Sequence, residues 1–141
     1  MSTIDQAVAA AGTALPDVIT GHIGGESVPV DAGAKHLGVY FPGTGEQIAS
    51  LQEDDTHAVA TAVSTARESF DSGAWSLAST ATRQTVFRTA AQLIRDHADE
   101  LALLECACAG LPSSHLASRQ VPRAADNLDF FADYIGVIAG E

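Results

Sequence analysis

Positive charge is scarce in this sequence. Seven Lys and Arg residues stand against eighteen Asp and Glu, a formal net charge of −11, and Lys35 is the only lysine. Phosphate backbones and anionic bilayers are bound by clustered Lys and Arg, so nucleic acid and membrane surfaces are not expected as partners. No uninterrupted apolar run approaches the roughly 20 residues that a bilayer-spanning helix needs. Cysteine is limited to Cys106 and Cys108, too few and too close for a disulfide framework, which fits a reducing compartment. Met1 to Leu15 has no basic segment of the kind that opens a secretory signal, and Asp5 sits where one would be needed. A cytoplasmic location is the resulting expectation.

Several chemistries are missing as well. No G-x-G-x-x-G run precedes a helix, and Gly43-x-Gly45 is followed by Ile48 in the third place. His22, His36, His57, His97 and His115 never stand three to five residues from a second His or Cys, so no metal site is expected. Ser27 lies in Gly25-Glu26-Ser27-Val28-Pro29, which lacks the closing glycine of a nucleophile elbow. Cys106 and Cys108 are two positions apart, hence about 200° around a helix axis, and cannot share one site. Both read as small hydrophobes.

What is present is a globular composition: 46% hydrophobic and 18% charged residues in 141, enough for one domain. Residues 1–20 are alanine-rich, with Ile4, Val8, Ala11 and Leu15 at helical spacing, and read as an arm or short helix. From Gly21 the texture changes. Gly24-Gly25 marks a tight turn, and Pro42-Gly43-Thr44-Gly45 separates Leu37 to Phe41 from Gln47 to Leu51, so segment 22–51 reads as one small antiparallel sheet. After Asp54 the pattern is helical. Asp54 or Asp55 caps a helix carrying Val59, Ala62, Val63, Ala66 and Phe70, which Gly73 ends. A second helix begins near Thr80 or Thr82 and carries Val86, Phe87, Ala90, Leu93 and Ile94. It runs on through Leu101, Leu104 and Cys108, with a restart expected at Asp96 and Asp99, until Gly110-Leu111-Pro112 stops it. Pro122 fits the first turn of a third helix with Ala125, Leu128, Phe131, Ala132 and Ile135 on its core stripe. Phe130, Tyr134 and Val137 form a second apolar face, so that helix expects cover on both sides.

Several runs then occur in a fixed order: Ile23-Gly24-Gly25-Glu26, Pro42-Gly43-Thr44-Gly45-Glu46 with Ile48-Ala49, Ala62 to Phe70 leading to Trp75, and Thr82-Arg83. They are followed by Leu101 to Glu105, Gly110-Leu111-Pro112, and Pro122-Arg123-Ala124-Ala125-Asp126-Asn127 with Phe130-Phe131-Ala132. In that order and spacing, over residues 22–141, the chain resembles the N-terminal portion of the NAD(P)-dependent aldehyde dehydrogenase superfamily. The wording around Gly110-Leu111-Pro112 and Pro122-Arg123-Ala124 is most similar to the subgroup acting on hydroxymuconic semialdehydes. One departure is Phe41, where the family usually carries an Asn that starts the second turn with a side-chain hydrogen bond.

The resemblance implies an α/β family fold in which this chain is the mainly helical part with a small antiparallel hairpin sheet, the parallel sheet not being included. Residues 21–141 would form the N-terminal part of a cofactor-binding domain. It further implies oxidation of an aldehyde or semialdehyde to the acid, with NAD or NADP in the complete enzyme and none bound by this chain alone. In the family the nucleophilic cysteine, the general base and the dinucleotide-binding turn all lie downstream of the matched region. The expected role is therefore scaffold and substrate entrance, inactive alone and completed by another protein chain or a homo-oligomer. The alternative is a non-catalytic interaction module binding another protein through an apolar helix face. Arg123, assisted by Arg119, is the expected contact for a substrate carboxylate, because two arginines flank a helix start whose free amides also favour anions. The competing expectation is that both are solvated or pair with Asp126 or another acidic side chain.

Overall fold

The computed structural model describes Ala9 and residues 15–138. The helix expected from Ile4, Val8 and Ala11 lies outside the described residues. At the end of that arm the reading needs correction, because Val18–Ile19 is a strand, β1. Pro16 disfavours helix in the residue before it, and two β-branched residues follow at once.

Strands β2 (His22–Ile23) and β3 (Glu26–Ser27) form a separate hairpin, turning at Gly24 and Gly25 with φ of 64° and 91°. Only glycine adopts such angles in succession without strain. Strands β4 (His36–Tyr40) and β5 (Gln47–Gln52) pair antiparallel, and β1 adds to the other edge of β5 in parallel. Segment 22–51 is thus not one antiparallel sheet but parts of two sheets, ordered β1-β5-β4 and β2-β3. The division follows from the loop between Val28 and Lys35, whose Pro29 lacks an N–H to extend a ladder. Gln52 fastens that loop to the sheet: its buried amide accepts from the Asp31 N–H at 2.7 Å and donates to the Pro29 carbonyl at 3.2 Å.

Four helices follow. Helix α1 (Thr56–Asp71) is capped by Asp55, whose carboxylate accepts from the Ala58 N–H at 2.7 Å. Its Ala62, Thr65, Ala66 and Ser69 face the β2-β3 hairpin across a shallow cleft. Yet no residue of α1 is buried: Val59, Val63 and Phe70 are 56%, 66% and 62% exposed. Helix α2 (Thr80–Asp96) starts at Ser79, which accepts from the Thr82 N–H at 3.1 Å. The chain then bends at His97 into α3 (Ala98–Ala109). The expected cap at Asp96 is not made. Asp96 stays helical, accepting from Gln92 Nε2 at 2.7 Å, and His97 occupies the cap with no side-chain bond to the backbone. Gly110, at φ 70°, ends α3 in the left-handed cap expected of it.

Helix α4 (Val121–Tyr134) lies against α2, with Ala91, Ala125 and Ala132 wholly buried between them. Methyl-sized side chains let the two backbones approach closely. Of the larger members of the expected stripes, Val86, Leu93 and Phe131 remain exposed. Ion pairs clasp the seam at both ends: Arg88 to Asp133 at 2.7 Å, and Arg95 to Asp126 and Asp129 at 2.9 and 2.7 Å. Ala102, Cys106, Leu116 and Val121 form one core cluster, joined by Ile94, and Phe41 with Ala107 forms another, joined by Leu15 and Ile48. No described helix is long and apolar enough to cross a membrane.

Candidate functional site

Arg119 and Arg123 lie where the backbone changes form. After Pro112 the chain makes one α-turn at Ser113–His115, widens into a π turn at Leu116–Gln120, and passes without interruption into α4. Pro122 does fall in the first turn of α4 as expected, but the expectation of free amides there is corrected, because helical backbone leads directly into it. The Val121 N–H donates to the Leu116 carbonyl across the π turn, and the Leu116 N–H to the Pro112 carbonyl at 3.1 Å. Free first-turn amides belong to the Ser113 end. The π turn has a physical reason, since a proline inside a regular helix collides with the carbonyl four residues earlier, here Ser118. A wider turn just before Pro122 makes room for the ring. It also brings Gln120 Nε2 to 3.3 Å from His115 Nε2, a pairing at a five-residue interval.

Both arginines are exposed, and neither forms an ion pair within 4.0 Å among the described residues. Asp126, the acid in which sequence offered Arg123 a partner, is held by Arg95 instead. The residues around Arg123 border an open groove of about 600 Å³ between α2, α3 and α4. Ile94, Leu101, Leu111, Leu116, Val121 and Ala124 line it, with Glu105 and Gln120 as its polar members. One segment thus carries both an apolar groove wall, through Leu116, Val121 and Ala124, and the exposed Arg119 and Arg123. It suits a ligand with a hydrocarbon body and an anionic end, because guanidinium offers a carboxylate two parallel donors.

Other chemistry-bearing residues are dispersed. Cys106 is buried in the core cluster, whereas Cys108 is exposed on the far side of the same helix. Ser27 stands exposed in β3. Among the described residues no cluster of three His, Cys, Asp or Glu side chains could hold a metal ion. The glycines at 43 and 45 serve the β4-β5 turn, where both the Thr44 and Gly45 amides donate to the Phe41 carbonyl, at 3.3 and 2.8 Å. They do not open a helix, so this pair is not a dinucleotide-binding turn.

Sequence reasoning missed Arg95. Its guanidinium is pushed above its already high ordinary pKa by the hydrogen bonds it donates to Asp129 first and Asp126 second. A signal existed. Arg88 and Arg95 are seven residues apart on α2, as are Asp126 and Asp133 on α4, which matches two turns of antiparallel neighbours.

Among the described residues, a helical layer with two small sheets and no central parallel sheet is a partial α/β architecture. The particular family is shown by sequence. The pattern of the aldehyde dehydrogenase family matches residues 30–141. A betaine aldehyde dehydrogenase from Vibrio vulnificus (strain YJ016) is 34% identical over 125 residues, covering 89% of this chain and 25% of that protein. An NADP/NAD-dependent aldehyde dehydrogenase from Escherichia coli (strain K12) is 36% identical over 100 residues, 71% of this chain and 20% of that protein. Among solved structures, a γ-glutamyl-γ-aminobutyraldehyde dehydrogenase from Burkholderia cenocepacia J2315 superposes with a TM-score of 0.85 at 31% identity. That match covers 99% of this chain and 28% of the other. The chain belongs to the aldehyde dehydrogenase family, and it spans about a quarter of the length of the curated relatives it matches.

Proposed function

We propose that this chain supplies the N-terminal part of an NAD(P)-dependent aldehyde dehydrogenase, as scaffold and as one wall of the substrate entrance, with the remainder of the fold covering its exposed helices. The observation that carries the reading is α1, a 16-residue helix in which no residue is buried although Val59, Val63 and Phe70 share one stripe. Helices in water draw most of their stability from an apolar face packed on something else. In a chain covering 25% of its relatives' length, the missing cover is the remainder of the fold.

The described residues contain neither a paired nucleophile and base nor a phosphate-binding turn, so oxidation and cofactor binding fall to the completing part. NAD or NADP would supply the hydride acceptor there. The substrate class favoured by the groove is an aldehyde with an anionic end, with Arg123 as carboxylate contact and Arg119 assisting. That is the substrate type of the hydroxymuconic semialdehyde subgroup, whose motif wording Pro122-Arg123-Ala124 shares.

Affinity purification of the chain from its source cell, followed by identification of any chain that accompanies it, tests the assembly. Recovery of a polypeptide carrying the downstream catalytic segments, with NAD(P)-dependent aldehyde oxidation in the complex and none in the chain alone, is expected. Recovery of an unrelated protein with no such activity would favour a non-catalytic interaction module. Saturable NAD binding by the isolated chain in calorimetry would overturn the division of labour proposed here.

A further inference from the structure

We infer that Arg95 is a positioning residue for the anion contact at Arg123: by holding Asp126 against α2, it keeps Arg123 free to receive a carboxylate. The inference rests on the proposed role of Arg123.

On a helix, residues three and four apart are neighbours. One turn from Arg123 in either direction stand Arg119, Gln120, Asp126 and Asn127, so Asp126 is the only acid in the helix able to neutralise it. Its carboxylate is 71% exposed and would turn readily toward Arg123. It is held elsewhere. Arg95 reaches from α2 and donates to Asp126 Oδ1 at 2.9 Å and to Asp129 Oδ2 at 2.7 Å, one guanidinium spanning two carboxylates. Glu105, the acid of the adjoining groove, makes no ion pair with Arg123 within 4.0 Å. The bridge therefore does two things. It ties α4 to α2, and it removes from Arg123 the competitor that an incoming carboxylate would otherwise displace.

The experiment uses the complete enzyme containing this chain and compares kcat/KM for succinate semialdehyde with that for butanal, which lacks the carboxylate. Arg95→Gln should lower the ratio of the two about two- to fivefold, the range in which an exposed ion pair acts, and through KM rather than kcat. Adding Asp126→Asn to Arg95→Gln should restore the ratio, although this double variant has lost the bridge entirely. A purely structural bridge predicts the opposite, equal losses on both substrates that deepen in the double variant, and that outcome overturns the inference. So does an unchanged ratio in Arg95→Gln when Arg123→Ala lowers it. If Arg123→Ala leaves the ratio unchanged, the carboxylate contact itself is refuted and the role of Arg95 falls with it.

Discussion

At the scale of single residues, Arg123 and Phe41 stand in opposite surroundings, one exposed and the other buried. Arg123 makes no ion pair within 4.0 Å among the described residues, and the role proposed for it is contact with a substrate carboxylate. In the complete enzyme Arg123→Ala should cost about 1.5 to 3 kcal/mol in kcat/KM for a carboxylated semialdehyde, the range for hydrogen bonds to charged groups. An uncharged aldehyde should lose little, and equal losses for both would assign Arg123 to structure. Phe41 departs from the family's Asn, yet the β4-β5 turn keeps its backbone bonds, because the Phe41 carbonyl accepts from Thr44 and Gly45 while its N–H donates to the Glu46 carbonyl at 2.8 Å. The ring replaces a lost polar anchor with a buried one, 3% exposed against Ala107, Leu15 and Ile48. Phe41→Ala should destabilise the fold by about 3 to 5 kcal/mol, the usual cost of emptying a buried aromatic site, measured as a lowered urea midpoint.

At the scale of elements, the α2-α4 pair depends on smallness. Ala91, Ala125 and Ala132 are 0%, 0% and 1% exposed, so the seam has no space for a longer side chain. Ala125→Leu should push the helices apart and cost about 1 to 3 kcal/mol by overpacking. Because Arg88 and Arg95 bridge the same seam, nuclear magnetic resonance should show the Asp133 and Asp126 carboxylates perturbed together in that variant. Undisturbed carboxylates with unchanged stability would mean that the seam is looser than its burial states. At the C-terminal end of α4, Gln84 Nε2 donates to the Ala132 carbonyl at 2.9 Å while the Gly136 N–H turns instead to Asp133. A side chain from α2 thus closes a helix end that the backbone leaves open.

At the scale of the whole molecule, the distribution of apolar surface decides behaviour. Val59, Val63 and Phe70 on α1, and Phe130, Tyr134 and Val137 around the end of α4, are all about half exposed or more, at 49% to 74%. Phe130 stacks on Tyr134 at 5.8 Å and meets Phe131 edge-on at 5.2 Å, a solvent-facing aromatic group. Contiguous apolar surface of this kind marks an interface. The isolated chain should bind a hydrophobic dye and self-associate in analytical ultracentrifugation, and both effects should fade when the completing polypeptide is added. A compact monomer that ignores the dye would count against an uncovered face.

Much of this was legible from residue order alone. The caps at Asp55 and Gly110, the glycine turn at 24 and 25, and the bend between α2 and α3 follow from local chemistry acting within a few residues, while the family was legible only as a resemblance of ordered runs along residues 22–141. What tertiary structure decided are relations between segments distant in sequence. β1 pairs in parallel with β5 because the chain returns beside it, a proximity that no local spacing encodes. The π turn at Leu116–Gln120 joins the turn begun at Ser113 to α4, so Pro122 sits in the first turn of α4 as its sequence suggests but follows directly on helical backbone. Arg95 takes Asp126 because α2 and α4 run antiparallel at alanine distance. Local propensity acts through neighbours one turn away, whereas partners across a packed seam are chosen by which faces the fold brings together.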